Sequence, residues 1–217
     1  MAKVRSVPGG GRAVELQPER LQGWFERFGE RHGGIHDTEI RERDVVVTAK
    51  DGARAELVGE FEPGAWPGLE IGQVLEELMR PKRIGLLLVR LGGHSIGIAV
   101  GGRVEVSTTD SHLVHGRNKA GGWSQQRFAR RREGQARVAL QAAADDAVRV
   151  LAPRIGELDA VVLGGDRQAL DVLREDRRLA DVFAKAADRV LDVAEPRRAV
   201  LDDAAVRARA VEVVVRD

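Results

Sequence analysis

Apolar residues recur along this chain in two rhythms, and the switches between them predict most of its elements. In ELQPERLQGWFERFGERHGG, Leu21, Trp24, Phe25 and Phe28 recur at spacings of three and four, the signature of an amphipathic helix. Pro18 suits the first turn of that helix and Gly33–Gly34 end it. The opening VPGGGR reads as a flexible start. DVVVTAK and ARAELVGE predict two short strands around a Lys50-Asp51-Gly52 turn, EPGAWPGLEIGQ a loop, and QVLEELMR a short helix stopped by Pro81. Residues 1–80 thus read as a small N-terminal α+β unit.

From Arg83 the rhythm changes. IGLLLVR, HSIGIAV and RVEVSTT are successive strand patterns separated by Gly92–Gly93 and Gly101–Gly102, the punctuation of an antiparallel meander. A polar stretch runs from about Asp110 to Trp123. Phe128, Ala136, Leu140, Ala143, Ala147, Val150 and Leu151 then fall largely on one face of a long helix that Pro153 stops. LDAVVLGG reads as a buried strand, Arg167 to Glu175 as a helix, DRVLDVAE as a last strand, and RRAVLDDAAVRARAVEVV as a final amphipathic helix. The order βββαβαβα over residues 83–217 predicts an α/β domain of the RNase H-like kind, a mixed sheet with helices.

A chain of 217 residues is long enough for a real core and suits one domain with a small extension. It contains no cysteine, which excludes disulfides, thiolate chemistry and cysteine-ligated zinc and fits a reducing compartment. No apolar run approaches the roughly 18 to 20 residues of a membrane span, and the N-terminus lacks a signal-peptide segment. The expectation is a soluble, cytoplasmic protein with no membrane partner.

Net charge is only +1, but its distribution is uneven. Between His115 and Gln135 stand Arg117, Lys119, Arg127, Arg130, Arg131 and Arg132 against a single acid, Glu133. A basic patch on an otherwise slightly acidic body is the electrostatic footprint of nucleic-acid binding; the bland reading is a solvated helix face. The patch sits in HGRNKAGGWSQQRFARRREGQ, where a strand-to-helix connection of roughly 14 residues exceeds the usual 2 to 6 and marks a functional or disordered loop. Gly121 and Gly122 let the backbone approach another molecule closely. Ser124 suits the cap of the following helix, and Gln125 and Gln126 its first turn, where free N–H groups favour anions or a developing oxyanion.

GGWSQQRFARRR resembles the GGQSALRFARLR segment of the eukaryotic and archaeal class I translation termination factors, with Gly121, Gly122, Ser124, Arg127, Phe128, Ala129, Arg130 and Arg132 in matching places. It is still more similar to the Vms-like release factors, whose loop has a GGSQ-type sequence. The resemblance covers about residues 83–217 and extends to the βββαβαβα order of the catalytic domain. It implies the compact bacterial, actinobacterial form of the family. Two departures stand out. Ungapped matching to the termination factors puts Trp123 where they have their catalytic glutamine; in the Vms-like pattern the glutamine follows the serine, which passes the role to Gln125, with Gln126 as competitor. The first 80 residues carry no NIKS-type sequence, the codon-reading element of termination factors.

What the resemblance implies is codon-independent hydrolysis of the ester between a nascent peptide and the 3′ adenosine of tRNA, on stalled ribosomes or large subunits. Gln125 would position the attack, with Gly121, Gly122 and Ser124 shaping the catalytic loop. Arg117, Lys119, Arg127, Arg130, Arg131 and Arg132 would hold RNA phosphates alongside Gln126, and Trp123 either stacks on a base or simply packs. No cofactor or metal is implied, and no DNA partner is expected. The partners implied are peptidyl-tRNA and the ribosomal large subunit at its peptidyl transferase centre. His112 and His115 flank the loop as candidate phosphate contacts or acid-base groups, and with no carboxylate partner nearby they read as surface residues. LGGDRQ lacks the lysine and hydroxyl of a phosphate loop, so Asp166 reads as a helix cap. Two rivals remain: a nuclease, for which the strands offer only Glu105 and Asp110 as metal-binding carboxylates, and a non-catalytic ribosome- or RNA-binding module using the same basic helix.

Overall fold

The computed structural model describes residues 4–41, 44–58, 71–111 and 123–217, with side chains throughout except at Ile71 and 123–133. The chain divides into two compact units, Met1–Pro81 together with Arg209–Asp217, and Lys82–Ala208. A single division near residue 80, with 83–217 as one domain, was the expectation. The chain instead crosses between units twice, because its last strand belongs to the first.

The first unit opens with strands β1 (Val4–Ser6) and β2 (Arg12–Leu16), paired as an antiparallel hairpin. VPGGGR, expected to be flexible, is the turn of that hairpin: Gly9, Gly10 and Gly11 take φ of 80°, 83° and 111°, a left-handed path that L side chains resist. A 3-10 turn at Pro18–Arg20 leads into helix α1 (Leu21–Arg31), and strands β3 (Ile35–Ile40), β4 (Asp44–Ala49) and β5 (Arg54–Val58) follow. Helix α2 (Ile71–Met79) completes the run. β2 and β3 were not anticipated, since Glu15 and Leu16 had been read into the helix and IHDTEI is too polar to signal a strand. Most of the expected EPGAWPGLEIGQ loop lies outside the described residues.

The second unit starts with the expected meander, β6 (Arg83–Arg90), β7 (Gly93–Val100) and β8 (Arg103–Ser111). Helix α3 (Trp123–Val150) is followed by a 3-10 segment at Ala152–Glu157, then β9 (Ala160–Gly165) and α4 (Arg167–Arg174). A short helix α5 (Ala180–Ala184), not anticipated, precedes β10 (Ala186–Leu191), and α6 (Arg198–Ala208) closes the unit. The sheet order is β10-β9-β6-β7-β8, with β6, β9 and β10 mutually parallel and β7 antiparallel to both neighbours. β6 and β7 are buried along almost their whole length, which is why they read as continuous apolar runs, whereas the edge strand β8 is largely exposed and polar. Leu87, Val89, Ile96 and Ile98 meet Ala143, Ala147 and Val150 of α3, Leu151 just beyond it, and Leu170 and Leu173 of α4 in one core. On the other face Leu201 of α6 packs close over Gly97. No helix among the described residues is long and apolar enough to cross a membrane.

The final helix was expected to run through Val213 and Val214. It ends at Ala208, and Val211–Arg216 form β11, which inserts between β2 and β5 of the first sheet. That sheet has the order β1-β2-β11-β5-β4-β3, antiparallel throughout. Val213 pairs with Val14 on one side and Leu57 on the other, and Val211, Val213 and Val215 enter a core with Leu21, Phe28, Val45, Val47 and Leu57. Arg5 donates to both carboxylate oxygens of Glu212 at 2.8 Å, and Arg216 to Glu56 at 2.8 Å, so charge pairs on the sheet's other face also fasten β11 to β1 and β5.

Deleting residues 211–217 removes an interior strand and leaves two ladders unpaired. Hydrogen exchange is expected to show loss of protection at β2 and β5, while β6, β7 and β9 of the second unit stay protected.

Candidate functional site

The predicted site falls on the entry to α3. Arg117, Lys119, Gly121 and Gly122, like His112 and His115, lie outside the described residues. Trp123 opens the helix, so Ser124 sits inside its first turn and not at the cap, as the sequence had suggested. The helix takes in Trp123 because nothing in the following residues interrupts the α-helical backbone. Gln125 and Gln126 are in the first turn as expected, and no acidic residue stands there to neutralise the free N–H groups and positive dipole end. Arg127, Arg130, Arg131 and Arg132 follow within the next two turns of the same helix. At roughly 100° per residue, positions 127, 130 and 131 share a side of the helix far from the row 139, 143, 147, whereas position 132 lies nearer that row.

α3 is one uninterrupted helix of 28 residues, roughly 42 Å long. The first described side chain on it that is buried is Ala139; Ala143, Ala144, Ala147 and Val150 continue the packed row. The first turn thus stands roughly 24 Å along the axis ahead of the seated half. Small side chains on that half let the helix lie close on β7, and Leu140 packs against the same core.

A polar cluster that sequence reasoning missed ties the seated half down. His94, at the start of β7, is completely buried, and its Nε2 lies 2.9 Å from Asp146 Oδ2 on α3. Thr108 Oγ1 of β8 donates to the same carboxylate oxygen at 3.2 Å, and Arg149 Nη2 donates to Asp146 Oδ1 at 2.6 Å and to Thr108 Oγ1 at 3.2 Å. Burial opposes the charged form of Asp146, but hydrogen bonds from His94 and Arg149, with the positive charge of Arg149, outweigh it and hold the carboxyl below the usual aspartate range. An ionised carboxylate only accepts, so the His94 Nε2–H is the donor. The one available signal was a histidine inside an otherwise apolar strand pattern, HSIGIAV; its partner is 52 residues away.

Elsewhere the expected cap holds: the side chain of Asp166 accepts from Gln168 N at 3.0 Å, at the N-terminus of α4. Gly165 just before it has φ 103°, and a Cβ there would collide with the Val89 carbonyl, so LGGD is a tight strand-to-helix turn. Glu105 pairs with Arg83 at 3.4 Å. Among the described residues, no three histidine or carboxylate side chains converge as metal ligands would.

The second unit is a mixed α/β unit whose longest helix carries glutamines in its first turn and arginines in the next two. Residues 82–214 match the family model of the Actinobacteria/chloroflexi VLRF1 release factor, and the chain belongs to that family. It is also similar to peptide chain release factor subunit 1 of Thermococcus onnurineus, 33% identical over 98 residues, and of Pyrococcus abyssi, 34% identical over 98 residues. Each alignment takes in 44% of this chain and 24% of the relative, so the chain spans about a quarter of the length of these relatives. Among solved structures, the archaeal translation termination factor aRF1 aligns with 73% of this chain and 47% of its own, at 18% identity and a TM-score of 0.45. Archaeoglobus fulgidus Pelota aligns with 96% of this chain and 66% of its own, at 14% identity and a TM-score of 0.29.

The lowered pKa of Asp146 gives the cluster a defined pH dependence. A depressed carboxylate contributes stability that is present above its unfolded value, about 3.9, and is lost as pH falls through the folded value. Wild type is expected to exceed Asp146→Asn in urea midpoint at pH 7, and the difference is expected to shrink as pH falls below about 4 and to vanish only once pH is below the still lower folded value.

Proposed function

We propose that this chain is a codon-independent peptidyl-tRNA hydrolase that frees nascent peptides on stalled ribosomes or large subunits. Membership of the release-factor family supports this reading, and the placement of Gln125 in the first turn of a helix directly after Gly121–Gly122 is the observation that carries it. We likewise read the second unit as RNase H-like, on its strand order and its βββαβαβα connections. The domain boundary near residue 82 that this reading implies follows the matched span.

The chemistry asks little of the protein. A peptidyl ester is activated, so an oriented water and stabilisation of the tetrahedral oxygen suffice. In the proposed step, water oxygen bonds to the ester carbonyl carbon, negative charge builds on the carbonyl oxygen, and the bond to the ribose 3′ oxygen then breaks. One proton of the water ends on that 3′ oxygen, giving free tRNA, and the other leaves to solvent as the new peptide carboxylic acid ionises to the carboxylate. Gln125 orients the water by its amide or faces the oxyanion through its backbone N–H, with Gln126 as the competing position. Gly121 and Gly122 let the segment enter a narrow cavity, and Ser124 stabilises the loop's entry to the helix. Arg117, Lys119, Arg127, Arg130, Arg131 and Arg132 neutralise phosphates, and Trp123 stacks on a base. The RNA itself assists proton movement, since no protein general base is called for.

Release of a labelled peptide from purified ribosome–peptidyl-tRNA complexes without a stop codon tests the activity. Gln125→Ala is expected to lose release by about 10²-fold or more while ribosome binding is retained, and Gln126→Ala to stay within a few-fold of wild type. No release by wild type despite ribosome binding would assign the chain to the alternative, a non-catalytic ribosome- or RNA-binding module, and full release by both variants would show that neither glutamine carries the reaction. Binding is also expected to weaken about 10²- to 10³-fold between 50 and 200 mM salt if roughly six phosphates are contacted. Replacing Arg130 and Arg131 together by alanine should flatten that salt dependence by roughly one phosphate each.

A further inference from the structure

We infer that His94, Thr108, Asp146 and Arg149 act as positioning residues, a directional lock that sets the tilt and rotation of α3 and through it the place of its first-turn glutamine. The inference rests on the hydrolase reading above. His94 and Ser95 are the buried polar side chains among the described residues, and Ser95 is satisfied locally by Thr109 at 2.6 Å across the adjacent strand. His94 instead reaches to another element. An apolar side chain at that position would seat the helix with no desolvation cost, so burial of the apolar row alone does not call for a histidine.

Along the alanine part of the apolar row register is weakly set, and the larger Leu140, Val148 and Val150 of the same helix make only non-directional contacts. Ala139, Ala143 and Ala147 permit close approach but raise shallow ridges, and shallow ridges constrain sliding and rotation weakly. Hydrogen bonds are directional, and those from His94, Thr108 and Arg149 converge on one carboxylate from strand β7, strand β8 and one turn along α3. The cluster therefore joins both flanks of the predicted loop. β8 ends at Ser111, just before it, and α3 begins at Trp123, just after it.

The distance from lock to site makes this joint consequential. Asp146 lies 23 residues from Trp123, roughly 35 Å along the helix. A tilt of about 5° at the lock moves the first turn by roughly 3 Å, whereas a misplacement of about 1 Å already costs on the order of 10²-fold in rate. Small angular freedom at the seated end thus becomes loss of alignment at the reacting end.

The absence of cysteine allows clean double labelling of the full chain. Gly134→Cys places a spin label on α3 where a side chain meets open space, and Arg103→Cys places one on exposed β8. His94→Leu and Thr108→Val remove the lock in two ways, the second at a half-buried site where the fold is least at risk; His94→Gln and Thr108→Ser keep a donor. The parent is expected to show one narrow inter-label distance, broadened or shifted in the Leu and Val variants and restored in Gln and Ser. In the unlabelled proteins, release rate at saturating ribosome complex is expected to fall about tenfold or more in the Leu and Val variants and to be rescued in Gln and Ser. An unchanged distance distribution overturns the lock whatever the release assay shows. A shifted distribution with undiminished release overturns its role in positioning. No release by wild type would overturn the hydrolase reading, while the distance measurement still decides for or against the lock itself.

Discussion

A helix can present its first turn to a partner only if its far end is held, and in this chain the holding is done by the second half of α3 on the β6–β7–β8 meander. The row Ala143, Ala144, Ala147 and Val150 buries against Leu87, Ile96 and Ile98. Its contribution is non-directional and scales with apolar area removed from water. Everything the helix offers at its start, two glutamines and four arginines, inherits its position from that contact. The polar cluster at His94 adds the direction that an alanine row does not supply.

The first unit obeys a different constraint. Its sheet contains a strand from each end of the chain at its heart, β2 and β11, so it cannot be completed until α6 has delivered residues 211–216. The second unit is thus an insertion between β5 with α2 and the strand that closes their sheet. The family match ends at 214, within that closing strand, so sequence kinship runs past the boundary of the compact unit. Valines on one face and arginine–glutamate pairs on the other make β11 fit both environments at once.

These two constraints explain which readings survived contact with the structure. The meander, α3 and α4 were legible because each carries a local rhythm: continuous apolar strands between glycine pairs, or an apolar face every three to four residues. β11 was not, although Val211, Val213, Val214 and Val215 are β-branched residues that favour strands. The helical pattern before them was simply extended. The start of the helix at Trp123 was misplaced by one residue, because capping competes among adjacent small and polar residues and only the backbone decides between them.

The sequence by itself determined the local elements of the meander and the long helix, the concentration of positive charge near residue 130, and the Gly-Gly and glutamine pattern that resembles release-factor loops. Those properties depend on neighbours within one or two turns, which is the range over which side-chain period and turn chemistry act. Tertiary structure alone decided that Asp146 meets His94 across 52 residues, that the last strand joins the first sheet, and that the chain crosses between its units twice. Such pairings follow from which buried surfaces and hydrogen-bonding edges remain unmatched once the elements have formed, and no local rhythm records that choice.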